Sequence, residues 1–167
     1  MDALTQSTTT RTKKKPTDQP SACSCVNLRR ASRAITKVYD DALHAAGLKV
    51  TQYSVLVNLS RAGAVSVSEL ARRLRLDRTT LVRNLKALER AGMVEGAPSS
   101  DPRERGVSLS EAGRAAVAQA RPRWIEAQRL IEARLGADGV RQLGELALAL
   151  EGIAGRDVAG ADSVESE

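Results

Sequence analysis

The sequence predicts a mostly helical protein with one small β-hairpin, and three observations support this. Apolar side chains recur at helical spacing over most of residues 23–153. Glycines follow several of these periodic segments, where they are typical helix terminators. Two short β-type runs at residues 93–95 and 107–109 flank a loop rich in turn-forming residues.

The first predicted helix covers residues 23–46 and ends at Gly47. Apolar residues recur along one face of it, at helical spacing: Leu28, Ala31, Ile35, Val38 and Ala42. Thr51 is a suitable N-cap for a second helix over residues 52–61, which Gly63 closes. Both helices are expected to bury one side.

A pair of short helices follows, joined by a tight turn. Ser66 and Glu69 have the Ser-x-x-Glu spacing of a capping box, which predicts a helix start. Asp77 is a good N-cap for a further helix over residues 78–90, and Gly92 ends it. Two capped helices around a tight turn are typical of a helix-turn-helix.

The second of these helices has a polar face that suits a DNA major groove. Thr79, Arg83, Lys86 and Arg90 follow one another at steps of four, three and four, with Thr80 and Asn84 beside them. A basic stripe taken alone is also what an ordinary solvated face looks like. The helix pair and the excess of basic residues around it favour DNA binding.

The hairpin adds a second basic element, because an arginine on a thin β-loop can enter a minor groove. Asp101, Arg103 and Arg105 are expected near the loop tip, with Asp101 orienting the Arg103 guanidinium. The alternative is an ordinary polar hairpin loop. The side chains predicted to contact DNA are Arg78, Thr79, Thr80, Arg83, Asn84, Lys86, Asp101, Arg103 and Arg105.

The segments LDRTTLVRNLKALERAGMV and SDPRERGVSLSEAG resemble the MarR family of bacterial transcription regulators. The resemblance implies a winged helix-turn-helix lobe over residues 48–109 and a helical dimerisation region formed by residues 23–47 and 110–154. It also implies a homodimer that binds double-stranded DNA at a near-palindromic operator, as a repressor whose affinity an effector lowers. Residues 1–22 and 155–167 are expected to be disordered, the first as a basic arm.

The terminal helices support the expectation of a dimer. Ser110 caps a predicted helix that runs to residue 135, and Gly136 marks its end. Pro122 lies inside this pattern and is expected to kink or interrupt it. A last helix is predicted over residues 138–153. Together the terminal helices have more apolar surface than one small lobe needs, and pairing of two chains would bury it.

Charge and composition narrow the function classes. The net charge of +6 and the pI near 9.8 favour an anionic partner. No apolar run can span a bilayer and no signal-peptide pattern opens the chain, so a cytoplasmic protein with no membrane partner is expected. His44 is the single histidine, so no catalytic triad, metal site or cofactor is predicted and the protein is not expected to be an enzyme. A winged helix that binds only protein is the alternative, and the arginine-bearing wing argues against it.

One face of the first helix is the predicted effector site. Cys25, Arg29, Ser32 and Tyr39 share it, and Tyr53 on the next helix is expected to face them. A cation, hydroxyls and a ring suit a small aromatic or phenolic carboxylate, the ligand class that the family resemblance favours. The plainer alternative is a solvated arginine beside tyrosines that only pack.

A thiol-based sensor is the second hypothesis for the effector. A helix N-terminus and a nearby arginine favour a reactive thiolate at Cys25. The segment containing Ser32, Arg33, Thr36, Lys37 and Tyr39 resembles the hydroperoxide-sensing branch of the family, whose reactive cysteine falls at Cys25. Arg29 and Val50 stand where that branch has tyrosines, so the carboxylate hypothesis is preferred.

Overall fold

The computed structural model describes residues 19–98 and 104–159, the last six in their backbone course only. The chain divides into two compact units, one up to Ala34 and one from Ile35 onward. The elements are α1 (Ser24–Leu43), α2 (Val50–Ala62), β1 (Val65–Ser66), α3 (Val67–Leu74), α4 (Arg78–Arg90), β2 (Val94–Ala97), β3 (Gly106–Leu109) and α5 (Glu111–Ala159). A 3-10 turn (His44–Ala46) follows α1. The prediction of a mostly helical fold with a small β wing is confirmed.

The helix pair α3–α4 begins at the caps that the sequence predicts. The Ser66 hydroxyl accepts the Glu69 amide at 3.2 Å, and the Asp77 carboxylate accepts the Thr80 amide at 2.8 Å. Of the predicted capping box, the bond from the Glu69 amide to the Ser66 hydroxyl is present. The Glu69 carboxylate, which would complete the box, binds Arg72 and Arg73 instead. These two bonds, with Arg73 the stronger influence, lower the pKa of Glu69.

The start of α2 differs from the prediction. The helix begins at Val50 with Lys49 as its N-cap residue, so Thr51 is an exposed residue of the first turn and not the cap. The Gln52 side chain accepts the Lys49 amide at 2.9 Å, and the Asp40 carboxylate accepts the Val50 amide at 2.8 Å. Because these two side chains already satisfy free amides at the helix start, no hydroxyl is required there.

The wing is a three-stranded antiparallel sheet in the order β1-β3-β2. The hairpin β2–β3 is paired from Val94↔Leu109 to Ala97↔Gly106, so β2 begins one residue later and extends further than predicted. The short strand β1 pairs with the outer side of β3 and was not predicted, because two residues cannot display an alternating pattern. The sheet thus fastens the start of α3 to the wing.

One hydrophobic core fills the unit that begins at Ile35. Helix α2 contacts α3, α4, α5 and β3, so it lies at the centre of the lobe. The largest fully buried side chains are Leu43, Val55, Leu56, Leu59, Leu70, Leu81, Leu88 and Val107. The apolar side of α4 is therefore held against this core, and its polar side faces outward.

The junction between the wing and α5 is tightly built. The Ser110 hydroxyl accepts the Gly113 amide at 3.0 Å, which confirms the predicted cap, and it donates to the Gly92 carbonyl at 2.6 Å. A Cβ atom on Gly113 would lie 2.0 Å from the Met93 carbonyl oxygen. Only glycine therefore fits at this position without a shift of the backbone.

Helix α5 is broken at Gly136 and not at Pro122. Gly136 has φ 73° and ψ 162°, whereas the dihedral angles around Pro122 stay helical, so the expected interruption there is wrong. Proline removes only one backbone hydrogen bond, and good helix formers on both sides carry the helix past it. The backbone remains helical to Ala159, into the segment predicted to be a disordered tail. Within the described ranges, no helix has both the length and the apolar character of a bilayer-crossing segment.

Candidate nucleic-acid interface and adjoining cleft

The outward side of α4 presents a stripe of polar side chains. Thr79, Arg83 and Lys86 are exposed, and among the described residues their side chains have no hydrogen-bond or ion-pair partner. Directly behind them Leu81 and Leu85 are buried in the core, which fixes the orientation of the helix. Donors held on a rigid helix and not used inside the fold are available for base edges and phosphates.

Two further side chains of the predicted interface serve the helix itself. Thr80 is half-buried, and both its amide and its hydroxyl bond the Asp77 cap. These bonds, led by that of the hydroxyl, lower the pKa of Asp77. Asn84 is also half-buried and donates its side-chain amide to the Thr80 carbonyl at 3.2 Å.

Two predicted arginine contacts are engaged within the lobe. Arg78, the first residue of α4, donates to the Ser68 hydroxyl at 2.7 Å. Arg105 forms an ion pair with Glu89 on the last part of α4. Arg105 adjoins the terminal Ala97↔Gly106 pair of the hairpin, so it lies at the base of the loop and not near its tip. Both arginines tie neighbouring elements to α4.

Asp101 and Arg103, the remaining side chains of the predicted wing contact, lie outside the described residues. The strands on the two sides of the loop, β2 and β3, are described and paired. A minor-groove contact by Arg103 stays a prediction.

A cleft of about 410 Å³ opens between α2 and α5. Tyr53 and Trp124 form an aromatic pair there, with ring centroids 6.2 Å apart and an interplanar angle of 35°. Burial raises the pKa of Tyr53, and the positive charges of Arg121 and Arg61 oppose that rise. The lining residues are Tyr53, Val57, Ser60, Arg61, Val117, Arg121 and Trp124.

The chemistry of this cleft suits an organic anion. Arg61 and Arg121 are exposed, and within the described part of the chain neither forms an ion pair. Two like charges that share a small cleft favour an anion between them. The Tyr53 and Trp124 rings supply apolar surface beneath those charges.

The other predicted effector residues are distributed between the two units. Tyr39 is half-buried and bonds the Gln128 side chain of α5. Burial raises the pKa of Tyr39 more than the bond with Gln128 lowers it, so that pKa is raised. Cys25, Arg29 and Ser32 are exposed on the part of α1 that belongs to the first unit. Tyr39 and Tyr53 thus contact α5 one helical turn apart, at Gln128 and Trp124.

Sequence reasoning missed the two arginines of the cleft. Arg61 closes α2 and Arg121 lies mid-way along the first part of α5, sixty positions away. Neither belongs to a motif, so only the packing of α2 against α5 brings them together. Among the described residues, no group of three or more potential metal-ligating His, Cys, Asp or Glu side chains occurs.

The profile of the MarR family matches residues 46–103 of the chain. No curated protein matches the sequence. The structure is similar to that of the M. tuberculosis transcriptional regulator MosR in complex with DNA, with 37% identity, a TM-score of 0.70, and coverage of 78% of this chain and 98% of that one. A probable transcriptional regulator from Pseudomonas aeruginosa has 26% identity, a TM-score of 0.70, and coverage of 77% and 97%. A mutant of E. coli MarR with operator DNA has 24% identity, a TM-score of 0.67, and coverage of 74% and 89%, and it supports the fold alone.

Proposed function

Since the chain belongs to the MarR family of transcription regulators, we propose that it is a homodimeric repressor that binds a near-palindromic operator in double-stranded DNA. The observation that carries the proposal is the α4 stripe of Thr79, Arg83 and Lys86, exposed and without internal partners among the described residues. The DNA complex of MosR, at 37% identity, supports the same use of the fold.

The second part of α5 supports the dimer. Beyond Gly136, Leu146 is 62% exposed and Ile153 is 59% exposed, and Leu150 lies on the same stripe. Apolar side chains at this spacing form a continuous strip, which a second copy of the chain would bury. A two-fold dimer would present two α4 helices to successive major grooves.

Footprinting on the DNA upstream of its own gene tests this proposal. A dimer with two recognition helices should protect two half-sites whose centres lie about 10 bp apart, one helical turn. Protection with no such symmetry would contradict the dimer. A complete absence of protection, with binding of a protein partner instead, would favour the alternative of a winged helix that acts only in protein interaction.

We propose further that the cleft between α2 and α5 holds a small aromatic or phenolic carboxylate. The Arg61 and Arg121 guanidinium groups would bind the carboxylate while Tyr53 and Trp124 contact the ring. The cleft lies between the helix at the centre of the lobe and the helix that carries the proposed dimer strip. A ligand releases DNA only if it prefers the conformation that cannot bind DNA. A tenfold loss of operator affinity requires a coupling of about 1.4 kcal/mol.

Isothermal titration with benzoate and its hydroxylated derivatives, paired with operator binding, tests this site. Arg121→Ala should weaken carboxylate binding and abolish release while leaving operator affinity without ligand unchanged. Arg29→Ala is the matched control, since Arg29 is the cation that the sequence predicts for the effector site. If Arg29→Ala abolishes release and Arg121→Ala does not, the site lies on α1, on the face that the sequence predicts.

Redox sensing by Cys25 is the second candidate. Cys25 is a free, exposed thiol in the first turn of α1, and Cys23 is a second free thiol just before that helix. The Cys25 thiolate would attack the terminal oxygen of a hydroperoxide and the O–O bond would break. The sulfur then becomes a sulfenic acid, and the alkoxide takes a proton from water and leaves as the alcohol. Cys25→Ser should then abolish release by hydroperoxide, with Cys23→Ser as the control. A Cys25→Ser protein that still responds to hydroperoxide would exclude this mechanism.

A further inference from the structure

A chain of polar contacts joins the recognition helix to the base of the wing. Arg78 donates to the Ser68 hydroxyl at 2.7 Å, and Ser68 lies in one cleft with Glu104, the pKa of whose carboxyl it lowers by hydrogen bonding. The Ser66 hydroxyl also bonds Glu104, while its oxygen accepts the Glu69 amide as the cap of α3. Both serines therefore lie between Glu104 and α3, and Ser68 also contacts Arg78 of α4.

The backbone around Glu104 is fastened to the same place. The Val67 amide donates to the Arg105 carbonyl at 3.0 Å, and Ser66 pairs with Gly106 across β1 and β3. Ser66, Ser68 and Glu104 line one cleft of about 620 Å³ between α3 and the wing. Glu104 thus lies where the wing loop re-enters the sheet, half-buried against the start of α3.

The charge of Glu104 is informative because of where it lies. A carboxylate close to DNA repels phosphates, so direct contact with the duplex does not explain an acid at this position. The other acid of the cleft, Glu69, is engaged with Arg72 and Arg73. Hydrogen bonds from Ser66 and then Ser68, followed by the charge of Arg78, hold the pKa of Glu104 below its usual value. The internal contacts therefore favour the ionised form.

We propose that Glu104 is a positioning residue that fixes the angle between the wing and α4. Through Ser66 and Ser68 it holds the base of the wing against α3, and through Ser68 and Arg78 it engages the first turn of α4. Wing and recognition helix then enter adjacent grooves as one rigid unit, without an ordering cost on binding. The inference rests on the proposed DNA-binding function.

The experiment compares Glu104→Ala with Glu95→Ala in the full-length protein, by quantitative footprinting. Glu95 is an exposed acid on β2, the other strand of the same hairpin. Removal of an acid near DNA should leave binding unchanged or strengthen it, and that result is expected for Glu95→Ala. Glu104→Ala should instead weaken operator binding about tenfold, comparable to one charged hydrogen bond, and reduce protection at the outer edges. Stronger binding by Glu104→Ala, matching the control, would overturn the inference.

Two further measurements separate this inference from the function on which it rests. Hydrogen exchange without DNA should be faster at residues 104–109 in Glu104→Ala and unchanged there in Glu95→Ala, whatever the protein binds. Ser68→Ala and the double variant Ser68→Ala/Glu104→Ala complete a double-mutant cycle. The two effects on operator affinity should be less than additive, because both substitutions break one network. Unchanged exchange or full additivity would overturn the positioning role. If the parent protein protects no DNA, the proposed function is overturned. The hydrogen-exchange comparison, made without DNA, then still tests whether Glu104 holds the wing.

Discussion

The winged lobe and the second part of α5 use the same kind of helix in opposite ways. Leu70 and Leu81, on the two helices of the helix-turn-helix, are 0% exposed. Leu146 and Ile153, also at helical spacing, are 62% and 59% exposed. Their sequence patterns are alike, and the difference is the number of elements that cover each stripe.

The comparison teaches that a periodic apolar stripe predicts burial but not the partner that provides it. In the lobe, α2 contacts α3, α4 and β3, so every stripe is covered within the chain. Beyond Gly136, α5 contacts the lobe through an ion pair between Arg75 and Glu151. Leu146 and Ile153 remain exposed there. A second copy of the chain is the cover that we propose.

The largest expected effect is on assembly. The double variant Leu146→Glu/Ile153→Glu places charges within the proposed interface, where an unpaired charge is strongly unfavourable. Size-exclusion chromatography with light scattering should give monomers at micromolar concentration, with weakened operator binding. Leu148→Glu is the control, because Leu148 is 59% exposed but two positions from Leu146 and so on a different face. A double variant that remains dimeric would move the interface elsewhere.

A core substitution in the lobe should follow in size. Leu81→Ala removes a fully buried side chain and should lower the free energy of unfolding by about 2–5 kcal/mol. Leu148→Ala removes an exposed one and should change it by less than about 0.5 kcal/mol. Urea unfolding at one fixed protomer concentration measures both, since dimer stability depends on concentration. Equal losses would mean that the helix beyond Gly136 is as well covered as the lobe.

The polar stripe of α4 should affect binding without affecting folding. Arg83→Ala should cost about 1–3 kcal/mol per half-site if Arg83 reads a base edge. Its unfolding curve should coincide with that of the parent, because Arg83 has no internal partner among the described residues. Competition with random DNA distinguishes the modes of contact. An equal loss on operator and random DNA would reduce Arg83 to a phosphate contact.

Two glycines of α5 should respond in opposite directions. Gly113→Ala forces a Cβ against the Met93 carbonyl and should cost about 1–3 kcal/mol of stability, as overpacking does. A Cβ on Gly144 meets nothing within 4 Å. Gly144→Ala should therefore gain about 0.5–1 kcal/mol from helix propensity. Thermal unfolding gives both signs, and a stabilising Gly113→Ala would show that the junction can relax.

Much of the lobe could be predicted because its signals are local. Asp77, the apolar spacing and Gly92 predict a helix over residues 78–90, and α4 is observed as Arg78–Arg90. Caps and helical periodicity act over three or four residues, so a single sequence carries them in full. The β-type runs at residues 93–95 and 107–109, with turn-forming residues between them, predict the wing on the same local grounds.

The remaining features depend on contacts between distant positions. Arg78 is drawn to Ser68 ten residues away, and Arg105 to Glu89 sixteen residues away, so these arginines differ from Arg83 although their residue type is the same. Arg61 and Arg121 share a cleft only because α2 packs on α5. A sequence states which donors and charges exist, and local spacing determines the helices and turns that carry them. Which of these charges are neutralised within the fold, and which remain available for a ligand, is decided by tertiary packing, because the energy of an ion pair depends on distance in space and not on separation along the chain.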